Sequence, residues 1–502
     1  MRPGASLRLA LAGTRTDAAR VALTALSAGL ATLAGLAALT VLAIPEVPGD
    51  PWAQAEQYGN ALLREPGLRG GTAFALALLT IPVLALAGQC ARLGAPARDR
   101  RLAALRLAGA TPAQVTRIAV LETGLASLLG TVTGLLVYLG GRGLLHRPDE
   151  RGQLALPTDV LPATGTIAAL VLGLPLAAAL VTVLMLRRVT TTPFGVVRRV
   201  RTRGPRPWPG LLIVLGLAAF SAYQPVGLWY ARRDSEPPEW LPPTLLIVGG
   251  LTATIGVVTG TGWLSYAAGR VLHRWARRPA ALLAARRLTA DPWAGSRTFA
   301  ALLAAVLIGA GAAGMRAYFE AELRLTRRTG SGIPDDPFYL RTMDLVDLTV
   351  AVAVLIAAGG LLVAVVEGVT ARRRAYAALV ATGVPRATLG RAIAWQSLAP
   401  AVPAVAVALT VGLLLARGLF RTPSNGGHLQ TICDAGDVCS EPGGWDRYAR
   451  TEWVERVTEP PVVPLEQLAL LGGGSLAAVL VTVAAGVLFL RAGTTVEELR
   501  TT

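Results

Sequence analysis

The chain contains no lysine, so all 48 of its basic side chains are arginine. A P-loop uses a lysine to reach the nucleotide phosphates, and a Schiff base needs a lysine amine. The sequence therefore excludes a self-contained P-loop ATPase and an enzyme that works through a Schiff base.

Histidine and cysteine are also scarce, with three residues of each. The histidines His146, His273 and His428 fall in predicted loops, and no spacing typical of a metal site or a catalytic nucleophile occurs, so we predict no metal and no catalytic residue. Cys433 and Cys439 share one loop, CDAGDVC. This pair predicts a small extracytoplasmic disulfide, and two free thiols are the alternative.

Long apolar runs dominate the sequence, which is 53% hydrophobic. About 18 or more consecutive apolar residues indicate a transmembrane helix. Ten such runs predict an all-α polytopic membrane protein, with spans at 18–44, 72–90, 118–141, 163–186, 210–230, 243–262, 298–318, 348–368, 392–416 and 468–490. The first run is too long for a cleavable signal peptide and is predicted to stay as an anchor. In such a chain the net charge of +17 does not indicate nucleic-acid binding.

Arginine is distributed unequally between the two sides of the membrane. Counted with the ends of the spans, one side holds 31 arginines and 6 acidic residues, whereas the other holds 17 arginines and 24 acidic residues. The positive-inside rule therefore predicts that both termini are cytoplasmic.

Two basic segments between spans repeat each other at an offset of 274 residues: RDRRLAALRLAGATPAQVTRI at 98–118 and RRRAYAALVATGVPRATLGRA at 372–392. Each one predicts an arginine-bearing amphipathic helix, a glycine suited to the left-handed position after a helix, and a new helix start. We interpret both as docking elements; two basic juxtamembrane loops are the alternative. The candidate docking residues are Arg98, Arg100, Arg101, Leu102, Leu105, Gly109, Thr111 and Pro112 in the first segment and Arg372, Arg373, Arg374, Tyr376, Leu379, Gly383 and Pro385 in the second.

The repeat extends beyond these segments. The ends of spans 4 and 10 match at an offset of 304, which requires about 30 extra residues in the loop 417–466. We predict a first four-span half at 1–200, a two-span connector at 201–275 and a second four-span half at 276–502. Corresponding spans have the same direction, so the repeat is parallel.

One carboxyl group, that of Glu122, lies inside a predicted span. Acidic residues at membrane depth normally face other helices or a wet cavity, and they mark candidate functional sites. Its counterpart in the second half is Gln396. Hydrogen bonding between helices and proton relay are both open interpretations.

The first docking segment places Gly109, Ala110 and Thr111 as a turn between a basic helix and the next span. This arrangement resembles the FtsX-like permease family, the membrane subunits of bacterial ABC systems of the MacB, lipoprotein-releasing and bacitracin-exporter types. The family's short terminal stretches have counterparts at 193–198 and 497–500. The second segment departs from the family pattern, because Val384 and Pro385 replace the alanine and the capping hydroxyl.

The resemblance implies a permease subunit in the bacterial cytoplasmic membrane that is not itself an enzyme. Separate ABC ATP-binding subunits, two copies per chain, would bind ATP and Mg, and the two docking segments would act as coupling helices. Arginines can pair with carboxylates on such a partner, while the apolar face fits a groove. The implied function is mechanotransmission that exports or extracts an amphiphile such as a lipid, lipopeptide or antibiotic.

Two other functions fit parts of the sequence. One is a non-transporting subunit that relays the state of the ATPase to a cell-wall hydrolase or a sensor kinase through its outer loops. The other is a proton-coupled secondary transporter that uses Glu122 and needs no ATPase.

Overall fold

The computed structural model describes residues 15–46, 53–78, 80, 83, 107, 109–190, 204–238, 240–293, 299–329, 338–370, 372–433 and 449–492. Within this part, nine helical segments are long and apolar enough to cross a membrane. They correspond to nine of the ten predicted spans. The predicted span at 72–90 begins in a helix that is described as far as Leu78 and then leaves the described residues. The prediction of a helical, polytopic membrane protein is confirmed.

The helices of the first half and of the connector are α1 (Arg15–Leu42), α2 (Ala61–Arg64), α3 (Pro66–Leu78), α4 (Pro112–Leu145), α5 (Thr164–Thr190), α6 (Trp208–Ser221), α7 (Tyr223–Ala231) and α8 (Leu241–Trp275). Those of the remaining chain are α9 (Pro279–Ala290), α10 (Ala300–Thr329), α11 (Phe338–Thr370), α12 (Arg373–Ala381), α13 (Arg386–Leu419) and α14 (Leu465–Ala492). Four short strands lie between α13 and α14: β1 (Ser424–Asn425), β2 (His428–Cys433), β3 (Ala449–Val454) and β4 (Val457–Thr458).

The two halves share most of their helix contacts, except that in the second half α11 also packs on α14, which has no counterpart among the described residues of the first half. In the first half α4 packs on α1 and α5, and α1 also contacts α3 and α5; in the second half α13 packs on α10 and α14, and α10 also contacts α11 and α14. Helices α4 and α13 each have 34 residues, and both their first and their last residues are 274 apart. The offset found in the sequence is therefore also the offset of the structure.

Each half has one very close helix crossing at a glycine. A Cβ atom on Gly130 of α4 would collide with the carbonyl oxygen of Ala25 in α1. A Cβ atom on Gly412 of α13 would collide with the carbonyl oxygen of Leu307 in α10. Small residues let the backbones of membrane helices approach in this way, so these two crossings fix the core of each half.

The connector helices pack on the second half. Helices α6 and α8 contact each other along their length and both contact α13, while α8 also contacts α10. The short helix α9 follows α8 and lies against α8 and α13. The connector and the second half thus share one hydrophobic core, which extends from Ala253 and Val257 of α8 into α10 and α13.

The turns at Gly109 and Gly383 lie at the same end of the molecule, which we call the arginine-rich side. The opposite end, which holds Tyr58 and the strands, is the far side.

Helix α10 continues to Thr329, well past the end of the predicted span at 318. Its 30 residues give a length of about 45 Å, against about 30 Å for the hydrocarbon core of a bilayer. Helix α10 is therefore long enough to extend beyond the hydrocarbon core.

The long loop between α13 and α14 contains an antiparallel ribbon, in which β1 pairs with β4 and β2 pairs with β3. The carboxylate of Glu459, just after β4, lies 3.3 Å from Nε of Arg324 and 2.6 Å from a terminal nitrogen of Arg328, both on α10. The described residues of this loop therefore form an ordered ribbon that is attached to α10.

On the far side of the first half, a small separate core is formed by the end of α1, by α2 and α3, and by the two adjoining loops. Tyr58 is completely buried, and its hydroxyl donates a hydrogen bond of 2.7 Å to the carboxylate of Asp159. The buried Arg69 donates from Nε to the carbonyl oxygen of Leu63 at 2.8 Å. Burial, followed by the hydrogen bond to Asp159, raises the pKa of Tyr58 above its usual value.

Candidate functional site

The second docking segment forms the helix α12, a tight turn and then α13. Gly383 has φ +90°. Its N–H donates to the carbonyl oxygen of Val380 at 2.9 Å, and the N–H of Val384 donates to that of Leu379 at 3.0 Å. This pair of bonds is the Schellman arrangement, which satisfies the last carbonyl groups of a helix and needs a left-handed residue that glycine adopts without strain.

The first docking segment is described only from its turn onward, apart from the exposed Leu107. Gly109 has φ +91°, nearly the same as Gly383. Thr111 caps α4, since its Oγ1 accepts from the N–H of Gln114 at 3.4 Å and its own N–H donates to Oε1 of Gln114 at 3.0 Å. Pro112 takes the first helical position, as the sequence predicts. The candidate residues Arg98, Arg100, Arg101, Leu102 and Leu105 lie outside the described residues.

The second segment is held by a side-chain contact to α9, the short helix that packs on the connector helix α8. Tyr376 of α12 is buried, and its hydroxyl accepts a hydrogen bond of 2.6 Å from the guanidinium of Arg287 on α9. Leu379, one turn further, is 37% exposed and leaves an apolar spot on the surface of α12. Arg372 immediately precedes α12, and Pro385 precedes α13 without a side-chain hydrogen bond to the helix. Arg373 and Arg374 begin α12, and their side chains are not among the described ones.

The intramembrane polar residues lie at matching places. Glu122 is buried in α4 with 8% exposure and interacts with another group of the protein, and Gln396 is half-buried in α13. Only one of the two cysteines of the predicted disulfide is among the described residues. Cys433 is the last residue of β2, and Cys439 lies outside the described residues. Among the described residues, no group of three or more His, Cys, Asp or Glu side chains could hold a metal ion.

A large cavity of about 980 Å³ lies between the two halves, toward the far side. Its walls come from α1, α3, α4 and their connecting loops in the first half, from α10, α11 and α13 in the second, and from Phe220 of the connector. The second half contributes an aromatic wall, where the rings of Phe319 and Tyr339 stack with centroids 4.7 Å apart. Most of its lining is aliphatic or aromatic, so the cavity suits a large apolar molecule.

The helices α4 and α13 connect the docking segments to this cavity. Each begins three residues after the turn glycine, at Pro112 and Arg386, and each reaches the cavity with its last two turns. At 1.5 Å per residue, their 34 residues span about 51 Å. One helix therefore joins each turn to the cavity wall.

Sequence reasoning did not find the cavity or Arg287. The cavity depends on the position of one half relative to the other, which no local pattern encodes. One of its residues, Arg142, did leave a signal, because it is an arginine that directly follows a predicted span on the side where arginine is sparse. Arg287 lies in a basic segment and is indistinguishable there from its neighbour Arg286.

In a comparison with protein families, the family described as FtsX-like permease C-terminal matches residues 72–194 and 348–496, together more than half of the chain. The two matched stretches contain one docking segment each. No curated protein and no solved structure matches the chain.

Proposed function

The chain belongs to the FtsX-like permease family, and from this premise we propose that it is the membrane subunit of an ATP-driven system that exports or extracts an amphiphile. The family implies an ABC-transporter-type permease or a related mechanotransmission subunit, which generally works with separate ATPase subunits and is typically not an enzyme itself. The arginine-rich side is then cytoplasmic, and the two docking segments receive two ATPase subunits there.

The cavity between the halves is the observation that carries the choice of an amphiphile. Its volume of about 980 Å³ is at the upper end of ordinary ligand sites, and most of its lining is apolar. A sugar or an ion would lose its hydration there without replacement, whereas an acyl chain would not. An amphiphile from the far-side leaflet therefore fits the lining best.

The arrangement of α4 and α13 supports a mechanical coupling. When the two ATPase subunits close on ATP, they would draw the turns at Gly109 and Gly383 together. Because each turn continues into a helix that ends in the cavity wall, the two halves would move against each other and change the cavity's volume. Among the described residues, the main direct helix contact across the cavity is the one between the short α2 and α11.

The experiment that tests the proposal is a pull-down in mild detergent with the co-expressed ATP-binding subunit. We expect the wild type to retain the ATPase, and a variant with Arg100→Glu, Arg101→Glu, Arg373→Glu and Arg374→Glu to lose it. The matched control reverses the same number of charges at Arg270, Arg274, Arg277 and Arg278, which are exposed on the same side and lie outside both segments. Equal losses in the two variants, or no ATPase with the wild type, would contradict docking at these segments.

A second function, relay to an outer partner without transport, is favoured by the attachment of the ribbon to α10. The pairing of Glu459 with Arg324 and Arg328 transfers a movement of α10 directly to β1 and β4. The variant Glu459→Gln separates the two functions. If relay is the function, this change reduces the activity of the cell-wall hydrolase or sensor kinase, while the stimulation of the ATPase by amphiphile stays unchanged. If transport is the function, the variant still exports the amphiphile.

A further inference from the structure

The cavity between the halves has one charged side chain among its described lining residues, that of Arg142. Arg142 lies in the last turn of α4, at the far-side end of the cavity, which is the depth of lipid headgroups if α4 crosses the membrane. A charge beside an apolar cavity is costly unless it has partners, and Arg142 lies on the side where positive charge is disfavoured. Its presence at this position therefore needs an explanation.

Within the described residues, only part of the hydrogen-bonding capacity of Arg142 is used. One terminal nitrogen donates to the carbonyl oxygen of Val160, and no carboxylate of the described residues lies within ion-pair distance. A guanidinium has five N–H groups in a planar fork that fits the two oxygens of a phosphate or carboxylate. Donor groups of Arg142 thus remain for a ligand.

The neighbouring hydroxyl groups in the cavity are already occupied as donors. Thr40 donates through Oγ1 to the carbonyl oxygen of Leu36 at 2.6 Å. Its single proton is used there, so the 2.6 Å contact between Thr40 and the hydroxyl of Tyr138 has Tyr138 as the donor. One turn below Arg142, Thr40 and Tyr138 therefore have no free O–H group, whereas the guanidinium keeps N–H groups that an anion can use.

We propose that the cavity selects an anionic amphiphile, with its phosphate or carboxylate bound by Arg142 and its acyl chain placed against the apolar walls. This inference rests on the proposed function, which needs an amphiphile of any charge, and adds the sign of the headgroup. The aromatic wall formed by Phe319 and Tyr339 stands across the cavity from α4 and gives the chain its apolar contact. Arg142 acts as the residue that determines headgroup specificity.

The test measures lipid binding to the purified full chain in neutral detergent by native mass spectrometry. The probes are dimyristoyl phosphatidylglycerol, phosphatidylcholine with the same tails, and inorganic phosphate as a competitor without a tail. The variants are Arg142→Gln, whose amide can still donate to Val160, and the control Arg147→Gln, which removes the same charge from an exposed position outside the cavity lining. A third variant, Ala312→Trp, fills the cavity from the wall on α10.

We expect the wild type and Arg147→Gln to bind the anionic lipid about tenfold more tightly than the zwitterionic one, as one charge-assisted contact of moderate strength allows. Arg142→Gln should lose this preference and keep its affinity for phosphatidylcholine.

Equal affinities in the wild type, or a preference that survives Arg142→Gln, overturn the proposal, and the proposed function then stands with a neutral amphiphile as the substrate. Displacement of the lipid by inorganic phosphate alone also overturns it, because the site then takes a free anion. If Ala312→Trp leaves all lipid binding unchanged, the cavity is not the binding site and the proposed function fails with it.

Discussion

The guanidinium of Arg287 donates a 2.6 Å hydrogen bond to the hydroxyl of Tyr376, and its central carbon lies 5.9 Å from the centre of the tyrosine ring. This contact joins α9, which packs on the connector, to α12, the second docking helix. The 274-residue offset pairs Tyr376 with Leu102, which has no polar group in its side chain. An equivalent hydrogen bond is therefore impossible at that position of the first segment, so the two docking segments are chemically different.

We predict that the Arg287–Tyr376 contact keeps α12 folded against the membrane part. Tyr376→Phe keeps the ring and removes the acceptor, which leaves a half-buried guanidinium without this partner. Losing a hydrogen bond to a charged group costs about 1.5–3 kcal/mol. Hydrogen–deuterium exchange of the α12 amides should become about tenfold faster or more, and exchange at the start of α4 should not change.

Arg287→Met should produce the same effect on α12, because methionine has no N–H group to donate, whereas its exposed neighbour provides the control. Arg286→Met removes an equal charge from the same helix without touching Tyr376. Unchanged exchange in both Tyr376→Phe and Arg287→Met would mean that α12 is held by its apolar contacts alone.

The turn glycines are expected to be sensitive to substitution for a reason that concerns the backbone alone. Nothing lies within 4 Å of a Cβ built on Gly383, yet its φ of +90° is unfavourable for any other residue. Gly383→Ala should destabilise the turn by about 1 kcal/mol, and Gly383→Asn by less, because asparagine tolerates this region better. Gly359→Ala is the control, since Gly359 is helical with equally free surroundings and alanine favours the helix.

The measurement for this prediction is ATPase stimulation in the reconstituted complex. We expect coupling to fall in the order wild type, Gly383→Asn, Gly383→Ala, with Gly359→Ala equal to the wild type. If Gly383→Ala couples as well as the wild type, the geometry of the turn does not transmit the movement.

Much of the architecture could be predicted because its causes are local. Apolar runs fix the spans, and the repeat offset is reproduced by the bounds of α4 and α13 to the residue. The left-handed conformation of the two turn glycines and the cap formed by Thr111 depend only on residues adjacent in the sequence, so the sequence predicts them. By contrast, Arg287 and Tyr376 are 89 residues apart, and Glu459 is 135 residues from Arg324. Such pairs, like the cavity between the halves, depend on how distant helices pack, and no local pattern carries that information.

For Glu122 we predict a hydrogen-bonding role. The equivalent position in the second half is a glutamine, which shows that an amide suits this place in the fold. Glu122→Gln should therefore keep amphiphile-stimulated ATPase activity within about twofold of the wild type. Glu122→Leu removes the buried polar group together with its interaction and should destabilise the protein by about 1–3 kcal/mol. Abolished transport in a stable Glu122→Gln protein would instead favour the proton-coupled mechanism.

The absence of lysine makes Tyr58 testable by pH. Between pH 9 and 11, lysine normally dominates titration, but in this chain tyrosine side chains take its place. The raised pKa of Tyr58 means that the folded protein keeps the phenol protonated where the unfolded chain has begun to lose its proton. The unfolded state then binds fewer protons, so the stability from this group is complete below about pH 10 and decreases as the pH rises toward the folded pKa.

Melting temperatures measured from pH 8 to 11 should fall for the wild type and fall less steeply for Tyr58→Phe. Tyr223→Phe, in the half-buried α7, is the control and should keep the wild-type slope. Identical slopes for all three proteins would contradict a raised pKa of Tyr58 in the folded protein.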